Sequence, residues 1–292
     1  MKQGTFFFKA ALVFFLPALF SCEKNITVDL PTPEQKIVVE GYIETGEKAI
    51  VTLTRTAAFF APVDSASLFS YLVTNAVVTV SDGVTSEQLI FTIDTTQYIP
   101  FVYKSQTLIG QEGKTYTLTV VADGKTLTAV TTIPNAVPLD SVWFKIQEGR
   151  DSLGFAWAHL TDPDTLGNCY RWFAKRMGKD KRFLPPIGSV FEDKFINAKS
   201  FDFAYNRGSE PNTYDDEDEN VRGYFSLGDT IAIKFCAIDR AHFDFWRITD
   251  VQVSNNGNPF AAPAPIPSNI NGGLGIWGGY AATYDTIIAT NN

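Results

Sequence analysis

Histidine and cysteine are scarce in this chain, with two histidines and three cysteines among 292 residues. A histidine zinc site would need both His159 and His242 together with a carboxylate, and the sequence has no H-E-x-x-H motif and no C-x-x-C pair. The G-x-S-x-G motif is missing too, and Cys169 and Cys236 lie in no catalytic-thiol signature. Common enzyme motifs are therefore absent, although the paired carboxylates of a glycosidase can converge in space without a fixed spacing.

Basic residues are outnumbered by acidic ones, 24 against 32, so the net charge is −8 and the isoelectric point is near 4.9. Binding to nucleic acid requires clustered lysine and arginine that neutralise phosphates. The one basic run, "KRMGKDKR" at 175–182, is typical of a solvated loop. The composition therefore argues against a nucleic-acid partner.

A long apolar run is lacking as well. The most hydrophobic stretch runs from Ala10 to Phe20, is broken by Pro17, and follows Lys2 and Lys9. A helix that crosses a bilayer needs roughly 20 apolar residues, so this stretch is too short to span one. Its length and basic start are typical of the hydrophobic region of a secretory signal peptide, which we predict to be residues 1–21.

Cys22 follows this stretch directly, after Leu19, Phe20 and Ser21. This arrangement resembles the lipobox of bacterial lipoproteins. The resemblance implies that the thiol of Cys22 carries diacylglycerol, that the preceding peptide is removed, and that the new amino group is acylated. Several acyl chains would hold a soluble domain on a membrane almost permanently. The alternative is an ordinary signal peptide followed by a coincidental cysteine.

Removal of residues 1–21 leaves 292 − 21 = 271 residues, a length that suits two folded domains. Of the whole chain, 45% is hydrophobic and 19% is charged, which is enough apolar material to form cores. Residues 22–35 are polar with prolines and predict a tether. Short β-branched and aromatic runs with alternating polarity follow, including a hairpin at Asp123-Gly124 and a second at Asp82-Gly83. We predict an all-β chain: an immunoglobulin- or fibronectin-like β-sandwich at 36–134, a linker at 135–140, and a second β-rich domain at 141–292. One short helix is predicted at "RAHFDFWRITDVQ", capped by Asp239.

Cys169 and Cys236 both lie in β-like runs, and an exported chain occupies a compartment where disulfides persist. They form a disulfide if their strands are neighbours with Cα atoms within about 7 Å. Otherwise they are two buried thiols, since free cysteine packs well in cores.

Three stretches together resemble a family of Bacteroidota lipoproteins known as domain of unknown function 4249. They are "CEKNITVDLP" after the signal, "KIVVEGYIETGE" at the first strand, and "NPFAAPAPIPSNINGGLGIWGGYAA" near the end. The likeness covers essentially the whole mature chain. It implies an outer-membrane lipoprotein, commonly encoded beside a TonB-dependent transporter, without an assigned activity.

The glycines of "GLGIWG" satisfy G-x-G-x-x-G, which cradles a pyrophosphate where a strand leads into a helix. Here the motif leads instead into the strand-like "YDTIIAT", so nucleotide binding is not expected. Trp277 in this stretch either packs beneath a tight glycine loop or projects outward as a ligand contact.

Two acidic stretches raise the possibility of calcium, which prefers several carboxylate oxygens. "TDPDTLGNCY" supplies Asp162, Asp164 and Asn168, for which local Asx turns are the alternative. The run of acids at 215–219 lacks the D-x-D-x-D-G spacing and suits a solvated loop.

The segment "FFAPVDSASLFSYL" at 59–72 is an apolar connection in which neither helical nor strand periodicity holds. Apolar residues in a connection often mark a contact surface. We predict that Phe59, Phe60, Phe69 and Tyr71 meet a protein partner, the alternative being that the segment folds over its own sandwich.

These features predict a lipid-anchored outer-membrane binding or accessory protein without catalysis and with no cofactor beyond the lipid at Cys22. Its expected partner is a TonB-dependent transporter or another envelope protein, and the sequence does not decide which face of the membrane it occupies. One alternative is capture of a glycan or peptide by exposed aromatic residues. Another is a hydrolase, which would need a cleft with two carboxylates a few ångströms apart.

Overall fold

The structure is a computed structural model that describes residues 34–57, 65–210, 218, 220–255 and 264–291, without the side chains of 65 and 66. The predicted signal peptide, Cys22 and all but the last two tether residues lie outside the described residues, as do Phe59 and Phe60. Of the acidic run at 215–219, only Asp218 is described.

Sixteen strands and two α-helices are formed by the described residues. The strands are β1 (Ile37–Glu44), β2 (Lys48–Arg55), β3 (Val77–Ser81), β4 (Ser86–Gln88), β5 (Ile90–Ile93), β6 (Phe101–Ile109), β7 (Thr115–Ala122), β8 (Lys125–Thr132), β9 (Ser141–Ile146), β10 (Leu153–Thr161), β11 (Cys169–Arg176), β12 (Val190–Glu192), β13 (Ser200–Tyr205), β14 (Phe225–Ser226), β15 (Thr230–Ile238) and β16 (Leu274–Ile288). The helices are α1 (Ser65–Ser70) and α2 (Arg240–Ser254). The predicted all-β class with one further helix is confirmed.

The strands form three sheets. The largest, here called the long sheet, has eight strands in the order β12-β11-β15-β16-β1-β2-β6-β5, and β1 and β16 pair in parallel. A four-stranded sheet has the order β4-β3-β7-β8. In the other four-stranded sheet β10 pairs with β9, β13 and β14.

One face of the long sheet, here called the inner face, carries the main hydrophobic core. Alternate residues of β1 point to it, and Val39 and Ile43 are fully buried there. They belong to one continuous apolar cluster that also includes Val80 and Leu118 of one four-stranded sheet and Ala158 of the other. Both small sheets therefore pack on the same side of the long sheet, as the period-2 alternation of strands requires.

The predicted division into two domains at residues 135–140 is wrong. The last strand, β16, lies between β1 and β15, so strands from both ends of the sequence share the long sheet. The segment at 135–140 also packs on the core through Ala136, Val137 and Leu139. Residues from Gln35 onward form one compact unit. A parallel pairing between distant segments leaves no local signal in either strand, and the prolines alone suggested a linker.

Two local predictions rest on turn and cap chemistry. Asp123 and Gly124 both have positive φ, 51° and 71°, between the paired ends of β7 and β8, as a type I′ hairpin requires. At the N-terminus of α2, the Asp239 carboxylate accepts a hydrogen bond from the backbone N–H of His242 at 2.8 Å, which confirms the predicted cap. The Asp82-Gly83 hairpin is different, because a four-residue loop joins Ser81 to Ser86.

Candidate ligand-binding recess

The outer face of the long sheet, opposite the core, carries charged and aromatic side chains. On β1 the residues that alternate with the core are Glu40, Tyr42 and Glu44. The same alternation places Lys234 of β15 and Arg171 of β11 on this face. Each of these residues lies next to a buried apolar neighbour in sequence, so a single strand supplies both the core and the polar face.

Helix α2 covers part of this outer face. His242 and Trp246, one helical turn apart, lie against the sheet, and the rings of His242 and Tyr280 are 4.5 Å apart. The close approach depends on Gly278 of β16, where an added Cβ would lie 2.3 Å from the His242 ring. A glycine at this position lets the helix pack directly on the sheet.

Between the sheet, the helix and two loops lies a cavity of about 400 Å³, here called the outer-face recess. The sheet forms its floor, α2 forms one wall, and Gln97 and Tyr98 approach from the loop between β5 and β6. The Tyr42 hydroxyl donates to the Gln97 side chain at 3.1 Å and ties that loop to the floor. The residues that line the outer-face recess are Glu40, Gly41, Tyr42, Gln97, Tyr98, Arg171, Phe173, Arg182, Phe183, Leu184, Pro185, Ser209, Lys234, His242, Trp246, Ile276 and Tyr280.

Lys234 and Glu44 form a buried ion pair at the floor of the recess. The Lys234 ammonium lies 3.0 Å from Glu44, and their side chains are 12% and 5% exposed. The Tyr284 hydroxyl also donates to this carboxylate. Burial disfavours the charged ammonium, but the neighbouring Glu44 carboxylate outweighs it and holds the pKa of Lys234 above its usual range. Both charges of this pair are therefore matched within the protein.

Arg171 is held rigidly by aromatic rings. Its side chain is 3% exposed, and its guanidinium carbon lies 3.7 Å from the centre of the Trp246 ring and 4.8 Å from that of Phe173. Nη1 donates to the Tyr280 hydroxyl at 2.6 Å, whereas Nε has no partner among the described residues. The cation is therefore stabilised mainly by ring faces, without a carboxylate in contact.

Glu40 is the second charged group without a counter-charge in contact. It lies between Thr52 of β2 and Ile276 of β16, faces the recess, and makes no hydrogen bond or ion pair with a described residue. Its side chain is exposed to solvent in the recess, although the protein atoms around it desolvate the carboxylate. Burial raises the pKa of Glu40, while the positive charge of Arg171 acts in the opposite direction.

His242 is neutral at the wall of the recess. Burial and the nearby Arg171 cation lower its pKa to about 3, and a hydrogen bond to the backbone of Gly279 opposes this shift. Like Nε of Arg171, one nitrogen in each of three other recess residues is buried and has no hydrogen-bond partner among the described residues. These nitrogens are Nδ1 of His242, Nε1 of Trp246 and Nη1 of Arg182. Four unsatisfied nitrogens around one cavity are unusual, since most buried polar atoms are hydrogen-bonded.

The family described as "Domain of unknown function (DUF4249)" matches residues 23–286. The chain belongs to this family. The comparison with curated proteins found no match. Among solved structures, the crystal structure of the chicken CNTN1 FN1-FN3 domains is similar at 12% identity, over 91% of this chain and 70% of that one, with a TM-score of 0.23. Since that score is low, the fold of this DUF4249 chain rests on its own strand pairings.

The prediction that Trp277 contacts a ligand is wrong. Trp277 is 0% exposed on the inner face of β16, and its indole N–H donates to the backbone carbonyl of Tyr116 at 3.0 Å. The alternative, packing beneath, is what the structure has. The glycines around it serve the sheet: Gly275 has a φ of 107° and an added Cβ there would lie 1.9 Å from the Val39 carbonyl oxygen.

The proposed calcium ligands of this DUF4249 chain point to separate partners. Asp162 is buried and accepts hydrogen bonds from the Tyr170 hydroxyl at 2.5 Å and the backbone N–H of Ala198 at 3.3 Å. Asp164 accepts from the Asn197 side chain at 3.2 Å. Across the described ranges, no group of three or more His, Cys, Asp or Glu side chains is placed to hold a metal ion. Asp162 and Asp164 therefore take part in local hydrogen bonds, whereas the buried amide nitrogen of Asn168 has no partner among the described residues.

Cys169 and Cys236 are free, buried thiols, so of the two alternatives that the sequence left open the structure has the two buried thiols and not the disulfide. They do lie on paired strands, but Cys169 is opposite Ile238 and Cys236 is opposite Arg171. The register thus offsets them by two residues. Burial raises the pKa of each thiol to about 12, which keeps both in the unreactive protonated form.

Of the four predicted partner contacts, the structure describes Phe69 and Tyr71. Phe69 is 62% exposed and its ring lies edge-on to Phe101 at 5.7 Å, whereas Tyr71 is half-buried. The role of these residues stays a prediction. No helix in the described part of the chain has the length and apolar character needed to span a bilayer.

The sequence reading missed the residues that form the recess. Arg171 and Lys234 are charges with apolar neighbours on both sides in their strands, "CYRWFAKR" and "TIAIKFCAI". A charge at the centre of such a strand is a signal, because it must find either a partner or a cavity once the sheet forms. The convergence of these charges with Glu40 depends on the strand order, which the sequence does not reveal.

Proposed function

We propose that this DUF4249 protein is a lipid-anchored binding protein of the outer membrane, and that its outer-face recess takes up a small ligand without converting it. The observation that carries the proposal is the pair Arg171 and Glu40. Both are charged groups that line one cavity, and neither has an oppositely charged partner in contact among the described residues.

Energetics support a binding role for Arg171. It is 3% exposed, and a buried charge without a partner costs several kcal/mol, so apolar residues of similar volume at such positions often make a protein more stable. Charged groups that perturb each other in a cavity are therefore candidates for function. The recess volume of about 400 Å³ also falls in the range of small-molecule sites.

The hydrolase alternative finds less support at this site. The two carboxylates that β1 contributes to the outer face, Glu40 and Glu44, are four residues apart on one strand, about 13 Å between Cα atoms. Glu44 is also held in its ion pair with Lys234. The pair of carboxylates of a retaining glycosidase stands much closer, at about 5 Å. Binding without catalysis is thus the simpler proposal for the recess.

Membrane attachment in this proposal comes from Cys22, on the sequence grounds given above. Cys22 and the first residue of β1, Ile37, are 15 positions apart in sequence, which a fully extended chain spans with about 50 Å. Such a tether would confine the recess to the neighbourhood of the membrane. Confinement raises its effective concentration near any transporter in the same membrane.

A second role, docking to a TonB-dependent transporter or another envelope protein, is favoured by exposed apolar side chains on and beside an edge strand. Leu68 and Phe69 of α1 are 56% and 62% exposed. At the edge of the long sheet, Ile90 and Ile93 of β5 are 55% and 64% exposed. Exposed apolar residues next to an open strand edge suit association with another protein.

Purification of the full chain from its native membranes tests these proposals together. Mass spectrometry of the N-terminal peptide is expected to find Cys22 with diacylglycerol and an acylated amino group. An unmodified N-terminus on a protein released into the medium would contradict the anchor. Crosslinking in intact membranes, followed by identification of the partner, tests docking, and Phe69→Ser is expected to reduce that crosslink.

Ligand uptake is tested separately by equilibrium dialysis of the chain from residue 23 onward against a small-molecule extract of the native cells. Mass spectrometry of the retained compounds is expected to show enrichment by the unsubstituted chain and none by Arg171→Gln. The matched control is Arg55→Gln, because Arg55 lies away from the recess and pairs with Asp123. Equal enrichment by Arg171→Gln and the unsubstituted chain would contradict binding in the recess.

A further inference from the structure

We infer that the ligand of the outer-face recess is a zwitterion, a free α-amino acid with an apolar side chain, whose carboxylate binds Arg171 and whose ammonium group binds Glu40. This inference rests on the proposed binding function and adds the chemical class of the ligand. Three features of the recess support this inference. They are the Arg171 N–H groups without a described partner, the Glu40 carboxylate without a counter-charge in contact, and the charge balance of the remaining lining residues.

Arg171 is prepared to receive an anion. Its one hydrogen bond with a described residue is the Nη1 contact to the Tyr280 hydroxyl at 2.6 Å. Trp246 and Phe173 hold the guanidinium in place, so little conformational entropy is lost when a ligand binds. A planar guanidinium matches the geometry of a carboxylate better than an ammonium does.

Glu40 is prepared to receive a cation. It faces the same cavity and has no partner within the described residues. The protein atoms around it raise its pKa by desolvation, which means that the protein itself destabilises the ionised carboxylate. An ammonium group beside Glu40 would favour the ionised form, so such a ligand gains from a group that the protein leaves unmatched.

The other charges of the recess are already balanced. Lys234 is paired with Glu44 at 3.0 Å, and Nε of Arg182 donates to Glu210 at 2.9 Å. Among the described lining residues, Arg171 and Glu40 are therefore the cation and the anion that have no counter-charge in contact. A simple carboxylate would satisfy Arg171 alone, an amine would satisfy Glu40 alone, and a neutral sugar would bring no counter-charge to either. A zwitterion matches both.

The remaining walls suit an apolar side chain. Phe173, Phe183, Leu184, Pro185 and Ile276 line the recess beside the two charged groups. Apolar atoms in a site of this size favour the burial of aliphatic or aromatic ligand surface. This places leucine, methionine, valine and phenylalanine ahead of amino acids with charged side chains.

Titration calorimetry on the chain from residue 23 onward tests the inference with L-leucine, L-methionine, L-valine and L-phenylalanine as probes. At least one is expected to bind. For leucine the matched analogues are 4-methylpentanoate, which lacks the ammonium group, and 3-methylbutylamine, which lacks the carboxylate. Each analogue is expected to bind at least tenfold more weakly, because each leaves either Arg171 or Glu40 without its counter-charge.

Two variants assign the groups. Arg171→Gln is expected to lose affinity for the amino acid while its weak binding of 3-methylbutylamine is unchanged. Glu40→Gln is expected to lose affinity for the amino acid while its weak binding of 4-methylpentanoate is unchanged. A purely structural role would weaken both analogues alike. Glu40→Gln removes a carboxylate that has no described partner, so this variant is expected to fold, as its thermal unfolding would show. Glu47→Gln, outside the recess lining, is the control.

The outcomes separate the inference from the function beneath it. If all four amino acids fail to bind, or if an analogue binds as tightly as its amino acid, the zwitterion class is wrong. If glucose or maltose binds instead, and Arg171→Gln abolishes that binding, the recess is a binding site for another class. If neither the amino acids nor the sugars bind, and the cell extract yields no compound that depends on Arg171, the proposed binding function fails as well.

Discussion

The two faces of the long sheet are built from the same strands and have opposite characters. On the inner face Val39, Phe235 and Trp277 are fully buried among apolar neighbours. On the outer face, Glu40 and Lys234, each one residue away in sequence, are charged. Every strand that crosses the recess thus contributes alternately to a core and to a polar cavity.

The inner face therefore stabilises the fold, whereas the outer face carries the proposed binding site. Burial of apolar area on the inner face stabilises the protein by about 25 cal/mol per Å². On the outer face, burial of charge works against stability unless each charge is matched. Substitutions on the two faces should therefore have different signatures: loss of stability on the inner face, and loss of binding with smaller or recoverable effects on stability at the recess.

Trp277→Ala tests the inner face and should have the largest effect. Trp277 is 0% exposed, and its removal would leave a cavity between the long sheet and the small sheet that contains Tyr116. We expect the free energy of unfolding to fall by about 3–5 kcal/mol, measured by urea titration.

Trp143→Ala is the matched control, because Trp143 is half-buried on β9 and stacks on Trp157 at 6.2 Å. It is expected to cost clearly less than Trp277→Ala. Equal losses for both tryptophans would show that the inner face has no special weight in stability.

Lys234→Met tests the matched charges of the outer face. The substitution would leave the Glu44 carboxylate, 5% exposed, with the Tyr284 hydroxyl but no cation. We expect a loss of about 3 kcal/mol in the free energy of unfolding, also measured by urea titration. The double variant Lys234→Met/Glu44→Gln should recover most of this loss, because it removes the unmatched charge.

The control for this pair is Lys104→Met, which breaks a more exposed ion pair with Asp94, 31% and 15% exposed. Surface pairs contribute about 0–1 kcal/mol, so a small loss is expected there. If the double variant is no more stable than Lys234→Met alone, the uncompensated charge is not the cause of the loss.

His242 gives the outer face a pH dependence. Burial, together with the nearby Arg171 and Lys234 cations, holds the pKa of His242 at about 3 in the folded chain, whereas in the unfolded chain it is about 6.5. As pH falls below 6.5 the unfolded state binds a proton that the folded state does not, so stability falls. At pH 5 this histidine alone should lower the free energy of unfolding by about 2 kcal/mol relative to pH 7.5.

The raised pKa of Glu40 acts in the opposite direction, since the folded state binds that proton first. The measurement is therefore the difference in acid slope between the unsubstituted chain and His242→Gln, from urea titrations at pH 7.5 and pH 5. His242→Gln should have the shallower slope. Parallel slopes for the two chains would show that His242 does not titrate differently on folding.

The same comparison shows which parts of the molecule a sequence can predict. The strands, the Asp123-Gly124 hairpin and the Asp239 cap depend on neighbouring residues, and local patterns were enough to find them. The place of β16 between β1 and β15 depends on a parallel pairing of residues more than 200 positions apart, which leaves no local trace. The single compact unit and the recess follow from that pairing, so neither was predicted, and the burial of Trp277 was one of two alternatives that the sequence left open.

The two buried thiols of the outer face give the smallest expected effect. Cys169 and Cys236 lie on the apolar part of the outer face, in a cluster with Phe243 of α2, and burial raises both pKa values to about 12. In the chain from residue 23 onward, we expect no reaction with Ellman's reagent at pH 8 in the folded state and two reactive thiols in urea. The thermal midpoint should be the same with and without dithiothreitol, because no disulfide constrains the unfolded chain. A thiol that reacts in the folded protein would mean that α2 opens readily, and an absence of reactive thiols in urea would mean that the two cysteines are paired.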